Sequence, residues 1–128
     1  MHTGFDIALA KAVAKQMGYE KVEFVNVHFK DILTGLQDKQ YDLAVAALSI
    51  TPERARQVDF SEAYVEDGYK VIVNKSSQLG DDFAALAGKT VAAEEGSYAE
   101  KLVKAQANGA KVIPVYDTEA GIKLVADG

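Results

Sequence analysis

The sequence predicts an α/β fold in which helices cover a parallel sheet. Three observations support this class: apolar residues recur at helical spacing near the N-terminus, β-branched residues alternate in several later segments, and short polar connections separate the two patterns. Strands and helices that alternate along a chain with short connections are typical of parallel sheets.

The first half of the chain alternates between helix and strand patterns. Residues 6–17 place their apolar positions on one helical face, and Gly18 follows where a left-handed residue often ends a helix. Residues 22–27 alternate and are rich in valine, which predicts a strand. A second helix is predicted around residues 32–36, and a buried strand at residues 42–48.

A polar stretch at residues 75–80 divides the chain. A strand is predicted before it, at residues 69–74. The elements predicted after it are a short helix at 83–86, a strand at 89–93, a helix through Tyr98, Leu102 and Val103, a strand at 112–115 and a helix from about Thr118. We therefore predict a partial first lobe over residues 1–74, a hinge or linker at 75–80 and a partial second lobe over 81–128.

The composition excludes several classes of function. With 48% hydrophobic and 26% charged residues the chain is of ordinary globular type, and its net charge of −5 argues against a nucleic-acid partner. It contains no cysteine, and His2 and His28 are too isolated to predict a metal site, so no metal or cofactor is expected. No apolar stretch is long enough for a membrane span, and the N-terminal residues lack a signal-peptide pattern.

The segment from Ser49 to Arg54 is the strongest candidate for a binding site. Thr51 can cap a helix and Pro52 suits its first position, directly after a predicted strand. Ligands of open parallel sheets gather at the carboxyl ends of strands, where Arg54 could turn back toward Ser49. The planar guanidinium donates two parallel hydrogen bonds to a carboxylate, so the pair predicts a carboxylate site. The alternative is a solvated arginine on a short surface helix.

Six segments in this order resemble a known family. They are GFDIA at residues 4–8, LQDKQYDL at 36–43, SITPER at 49–54, VDFSEAY at 58–64, GKTVA at 88–92 and GSY at 96–98. Together they resemble the extracellular solute-binding proteins of family 3, which are receptors for polar amino acids in ATP-driven importers. The resemblance implies a type II periplasmic-binding-protein fold, an amino acid ligand, an importer permease as partner and an extracytoplasmic location.

The resemblance also implies which residues bind the ligand between two lobes. Ser49 and Arg54 match the positions that hold the α-carboxylate, and Phe29 matches an aromatic residue that packs on the ligand side chain. The remaining matches contact the ligand through backbone or hydroxyl groups: Ala46, Ala47, Ser97 and Tyr98. At Ser97 and Tyr98 a helix begins after Gly96, and we expect unpaired N–H donors and a positive dipole end in that loop.

Some of these residues also have purely structural interpretations. Phe29 could be a core aromatic residue and Tyr98 a surface residue of its helix. Glu94 and Glu95 could meet a cationic group of a ligand, or could simply be solvated. Neither Asp117 nor Asp127 stands at the family position that pairs with the ligand ammonium, so neither is assigned that role.

Departures from the family pattern modify the expected function. The family begins with a strand before the GFDIA motif and continues well beyond the matched segments, so we expect incomplete lobes, weakened ligand binding and self-association by strand exchange. A binding module without catalysis is the main hypothesis. The alternatives are a truncated fragment that no longer binds ligand and a dehydratase-like enzyme on the same fold.

Overall fold

The chain divides into two compact units. The computed structural model describes residues 2–80 and 82–128; Met1 and Asp81, where the two predicted lobes begin, lie outside the described residues. The first unit contains the residues up to Val27 together with Asp31–Glu66, and the second contains His28–Lys30 together with Asp67–Gly128. The lobe boundaries inferred from the sequence stay a prediction.

The first helix, α1, spans Phe5–Gln16 and has a glycine-dependent end. Gly18 has a φ of 85°, and its N–H donates to the carbonyl of Lys15. The next residue, Tyr19, donates to the carbonyl five residues before it. This pair of hydrogen bonds is the Schellman motif, whose left-handed residue is most easily a glycine. The helix predicted over residues 6–17 and its end at Gly18 are confirmed.

The second helix, α2, spans Ile32–Gln37 and follows the 3₁₀ turn Phe29–Asp31. Ile32 is buried, and the hydroxyl of Tyr41 donates to its carbonyl oxygen at 2.7 Å. A Cβ atom on Gly35 would overlap the phenol ring of Tyr41. Because Gly35 has no side chain, the ring of Tyr41 can cover this helix. The helix predicted around residues 32–36 is confirmed.

The third helix, α3, is a single turn over Pro52–Ala55. It begins as predicted: the hydroxyl of Thr51 accepts a hydrogen bond from the backbone N–H of Arg54 at 3.2 Å, and Pro52 takes a first-turn position where no N–H is needed. A capped and proline-initiated turn sets the direction in which its side chains leave the backbone.

Three predicted strands are absent from the structure. The segments at residues 22–27, 42–48 and 69–74 carry no regular element, and the described part of the first unit has no strand. In each segment one large apolar side chain is more than half exposed: Val25, Leu43 and Ile72. Alternating β-branched residues favour extended backbone, but a strand also needs a neighbour for ladder hydrogen bonds. These predictions were wrong because local sequence does not supply that neighbour.

The second unit contains a strand, a helix, a strand and a helix in that order. These elements are β1 (Thr90–Glu94), α4 (Tyr98–Gln106), β2 (Lys111–Val115) and α5 (Thr118–Asp127). The two strands are parallel, with Thr90 opposite Lys111, and both helices contact both strands. All four predicted elements are confirmed, with strand ends that differ by one residue. The predicted α/β class is therefore present in this unit.

The core of the second unit lies where α4 meets the sheet and the 3₁₀ turn Phe83–Leu86. Leu86, Val103 and Ala107 are each at most 7% exposed. The partly buried apolar residues packed against them are Leu79, Phe83, Val91, Ala110 and Val112. Every member of this cluster comes from residues 79–112, so its contacts are local in sequence.

Candidate ligand-binding residues

Arg54 is a buried cation that turns back toward the segment before its helix. It is only 7% exposed, and its Nη1 atom donates to the backbone carbonyl of Ser49 at 2.9 Å. The structure thus brings together the two residues that the sequence predicted as a pair, through the carbonyl of Ser49. A guanidinium held this way keeps a fixed orientation, and its planar donor fork matches a carboxylate.

Ala47 has an unusual backbone conformation in the first unit. Its φ is 45°, in the left-handed region that residues with a Cβ atom rarely adopt. Its N–H donates to the hydroxyl of Tyr64 at 2.7 Å, and that hydroxyl donates to Oδ1 of Asp6 at 3.1 Å. The neighbouring Ala46 is half-buried. This chain of hydrogen bonds was not predicted from the sequence, because Tyr64 and Asp6 are 58 residues apart.

An open apolar recess of about 460 Å³ adjoins Ala47 and Tyr64. Its lining residues are Thr3, Gly4, Phe5, Asp6, Ile7, Ala47, Tyr64 and Val65. The ring of Phe5 stacks on that of Tyr64, with centroids 6.2 Å apart and an angle of 23° between the planes. The start of α1 therefore fixes the ring and the hydroxyl of Tyr64 together.

Ser97 is buried in the second unit and caps α4. Its hydroxyl accepts from the N–H of Glu100 at 3.1 Å, and the Glu100 carboxylate in turn accepts from the N–H of Gly96 at 2.8 Å. This reciprocal arrangement is a variant of the capping box. The N–H of Ser97 itself donates to the carbonyl of Glu94. The expectation of unpaired N–H donors is therefore wrong for Gly96 and Ser97, because the loop and a nearby carboxylate already bind them.

Tyr98 and Phe29 also lie in the second unit. Tyr98 is half-buried, and its ring centroid is 5.9 Å from that of Tyr69. Phe29 begins a 3₁₀ turn and is half-buried as well. Phe29, Ser97 and Tyr98 thus belong to one unit, whereas Ala46, Ala47, Ser49 and Arg54 belong to the other. A role in ligand binding remains a prediction for all seven.

The acidic residues after β1 have partners within the second unit. Oε2 of Glu95 lies 3.0 Å from Nζ of Lys30 and 3.7 Å from Nε2 of His28, whose ring meets Tyr116 edge-on at 4.4 Å between centroids. Burial raises the pKa of Glu94, the negative charge of Asp117 raises it further, and His28 opposes the shift. That the segment around residue 28 supplies these partners was not predicted from the sequence.

Neither a metal-ligand cluster nor a membrane-spanning helix occurs within residues 2–80 and 82–128. No three histidine or carboxylate side chains there are grouped so that they could hold a metal ion. No helix in these ranges is both long and apolar enough to cross a bilayer.

Asp117 caps α5 by accepting from the N–H of Ala120 at 2.8 Å.

The chain is similar in sequence to amino acid-binding proteins of bacterial transporters. It is 41% identical over 98 residues to the arginine-binding extracellular protein ArtP of Bacillus subtilis, covering 77% of this chain and 38% of ArtP. It is 37% identical over 115 residues to ABC transporter arginine-binding protein 1 of Escherichia coli, covering 90% of this chain and 46% of that protein. The chain therefore spans less than half the length of these two relatives.

Solved structures show the same fold. An ancestral arginine-binding protein bound to arginine matches with a TM-score of 0.94 and 38% identity, covering 98% of this chain and 56% of that one. An ancestral amino acid-binding protein that is a precursor of cyclohexadienyl dehydratase matches with a TM-score of 0.93 and 35% identity, covering 100% of this chain and 57% of that one. These matches confirm the predicted type II periplasmic-binding-protein fold.

The model of one protein family matches most of the sequence. The match covers residues 1–115 of the 128, and so includes all six segments that carry the resemblance. The relatives and solved structures above point to the same group of proteins. The chain belongs to the bacterial extracellular solute-binding proteins, family 3.

Proposed function

We propose that this chain contributes the part of an amino acid receptor that binds the ligand's α-carboxylate through Arg54. The observation that carries the proposal is the buried guanidinium, held by the carbonyl of Ser49 at 2.9 Å. A cation with little exposure interacts strongly with an anion, because little water screens the pair. The other proposed contacts are the backbone of Ala46 and Ala47, the ring of Phe29, and Ser97 with Tyr98.

We propose arginine as the first ligand to test, with glutamine as the second. Relatives from Bacillus subtilis and Escherichia coli are named for arginine, and an ancestral arginine-binding protein has been solved with glutamine bound. The net charge of −5 also favours the approach of a cationic ligand over an anionic one. The permease of an ABC importer is the proposed partner, and the extracytoplasmic side of the membrane the proposed location.

We propose that residues 1–128 by themselves bind an amino acid more weakly than a full-length receptor does. The relatives are more than twice as long as the matched part of this chain, and no residue here is assigned to the ligand ammonium. A missing charge-assisted contact typically costs about 1.5 to 3 kcal/mol, or roughly tenfold to hundredfold in affinity.

Calorimetry with matched ligands tests the carboxylate site. Arginine should bind, and agmatine, which keeps the guanidinium but lacks the carboxylate, should bind at least roughly tenfold more weakly. Glutamine and glutamate extend the comparison to other side chains. Equal affinities for arginine and agmatine would show that the carboxylate is not what the protein recognises.

Self-association is a second proposal, and exposed apolar side chains favour it. Val71, Ile72 and Val73 are each more than 40% exposed in a segment without ladder hydrogen bonds. Such a segment can pair with its equivalent in a second copy. Sedimentation velocity across a concentration series measures this directly: a shift toward dimer is expected, and a monomer at every concentration contradicts it.

Binding without catalysis is the proposed class, and dehydratase activity is the alternative. The sequence relatives described above are binding proteins, whereas one structural neighbour is a precursor of cyclohexadienyl dehydratase. Incubation with prephenate distinguishes the two, because turnover above the uncatalysed rate would favour the enzyme.

A further inference from the structure

The left-handed backbone conformation of Ala47 must be stabilised by other residues, because an alanine side chain disfavours it. A φ of 45° is unfavourable for any residue with a Cβ atom, and such a conformation persists only where the surroundings hold it. Ala47 lies among the residues proposed to contact the ligand, two positions before Ser49. The contacts that hold this conformation therefore affect the shape of the proposed site.

A chain of hydrogen bonds to α1 is the contact that holds Ala47. The hydroxyl of Tyr64 donates a hydrogen bond to Oδ1 of Asp6 at 3.1 Å, and its oxygen accepts a hydrogen bond from the N–H of Ala47 at 2.7 Å. Asp6 belongs to the first turn of α1, and Phe5 beside it stacks on the ring of Tyr64. Both ends of the Tyr64 side chain are thus fixed by neighbouring residues of one helix.

The protonated form of Tyr64 is the form that this arrangement needs, since only a hydroxyl can donate to a carboxylate and accept from an amide. Burial raises the pKa of Tyr64, and the hydrogen bond to Asp6 and its charge raise it further, while the N–H of Ala47 lowers it. The hydroxyl therefore keeps its proton throughout the neutral range. It can therefore join the N–H of Ala47 to the carboxylate of Asp6 over that whole pH range.

We propose that Tyr64 and Asp6 are positioning residues, which fix the left-handed backbone at Ala47 and thereby the course of the chain toward Ser49. Ser49 in turn supplies the carbonyl that orients the Arg54 guanidinium. The start of α1 thus determines the geometry of the proposed carboxylate site without touching the ligand. This inference rests on the proposed function only for its effect on binding, because the backbone conformation itself can be measured without ligand.

The ligand-free test combines Tyr64→Phe with Ala47→Gly. Glycine adopts a positive φ without steric cost, so Ala47→Gly relieves strain only while the backbone is held in that conformation. We compare the change in melting temperature that Ala47→Gly causes in the wild-type protein with the change it causes in Tyr64→Phe. The first change should be more favourable than the second by roughly 2 to 5 °C. The added flexibility of glycine in the unfolded state cancels in this comparison. Amide hydrogen exchange at Ala47 should also be faster in Tyr64→Phe.

The ligand test uses two pairs of variants. Tyr64→Phe should weaken arginine binding by roughly tenfold, whereas Tyr19→Phe, which removes the hydroxyl of an exposed tyrosine, should not change it. Asp6→Ala should weaken binding similarly. Asp6→Asn keeps an acceptor oxygen and should retain near wild-type affinity. Circular dichroism of each variant shows whether it is folded.

The outcomes separate this inference from the proposed function. Equal effects of Ala47→Gly in both backgrounds, together with unchanged exchange at Ala47, would overturn the positioning role. Wild-type affinity in folded Tyr64→Phe would overturn it as well. If the wild-type chain binds no amino acid, the proposed function fails, and the ligand-free comparison still decides whether Tyr64 holds Ala47.

Discussion

Nη1 of Arg54 lies 2.9 Å from the carbonyl oxygen of Ser49, five residues earlier in the chain. The side chain of Arg54 therefore folds back, and its guanidinium lies next to the segment that precedes α3. The hydroxyl of Thr51 accepts from the backbone N–H of the same Arg54 at 3.2 Å and caps the turn, so both the backbone and the side chain of Arg54 are held by residues before the helix. The orientation of the guanidinium therefore depends on backbone geometry as well as on charge.

Arg54→Ala should weaken arginine binding by about tenfold to hundredfold, because each hydrogen bond to a charged group contributes about 1.5 to 3 kcal/mol. Arg54→Lys should fall between this variant and the wild type, since lysine keeps the charge but not the planar fork. Calorimetry measures both. The control is Arg56→Ala, an exposed arginine at the end of the same turn, which should bind normally. Unchanged affinity in Arg54→Ala would remove this residue from the site.

Gly35→Ala should destabilise the first unit by about 1 to 3 kcal/mol, because the new Cβ atom overlaps the phenol ring that hydrogen-bonds to Ile32. The free energy of unfolding in urea measures the loss. The matched control is Gly68→Ala, where a Cβ atom meets nothing within 4 Å. A loss no larger than that of the control would show that Tyr41 moves aside at little cost.

Local signals in the sequence predicted much of this structure. The end of α1 depends on Gly18, and the start of α3 on the adjacent Thr51 and Pro52, so each can be read from a few neighbouring residues. The helices and strands from Phe83 onward were predicted almost completely, because the core cluster they pack around comes from residues 79–112 alone, whereas the strand predicted at 69–74 of the same unit is absent. The pairing of Ser49 with Arg54 was predictable for the same reason.

Contacts between distant segments were not predictable. The strand at residues 42–48 was predicted from composition, but ladder hydrogen bonds depend on a neighbour that composition does not specify. The link between Tyr64 and Asp6 joins two segments of unremarkable polarity 58 residues apart. The ion pair of Lys30 with Glu95 likewise depends on the placement of residues 28–30 in the second unit. In each case the structure depends on a contact with residues that are distant in the sequence.

Glu100→Gln should reduce stability at about pH 7 by less than about 1 kcal/mol, and the difference from wild type should vanish in acid. The hydrogen bond from Lys104 lowers the pKa of Glu100, and the N–H of Gly96 lowers it too, while burial opposes both. A lowered pKa stabilises the fold above the ordinary glutamate value of 4.5, and this contribution is lost as the pH falls through the folded value. Urea unfolding at pH values above and below 4.5 measures this contribution to the free energy of unfolding. Glu119→Gln, in the exposed first turn of α5, is the control.

Glu94→Gln should have the opposite effect and stabilise the protein at about pH 7. Burial raises the pKa of Glu94 and the charge of Asp117 raises it further, so ionisation of this carboxyl opposes folding. Wild type should therefore lose stability as the pH rises from 4.5 through the folded value, and the amide variant should not.

The expected gain in the free energy of unfolding is below about 1 kcal/mol, because Glu94 is only partly buried and water screens its charge. The neighbouring Glu95→Gln is the matched control. It removes the negative charge that pairs with Lys30 and should cause a small loss, so the two adjacent variants should differ in sign. Urea unfolding of both at several pH values decides the matter. A loss of stability in Glu94→Gln at neutral pH would mean that its carboxylate is favourably paired in the folded state.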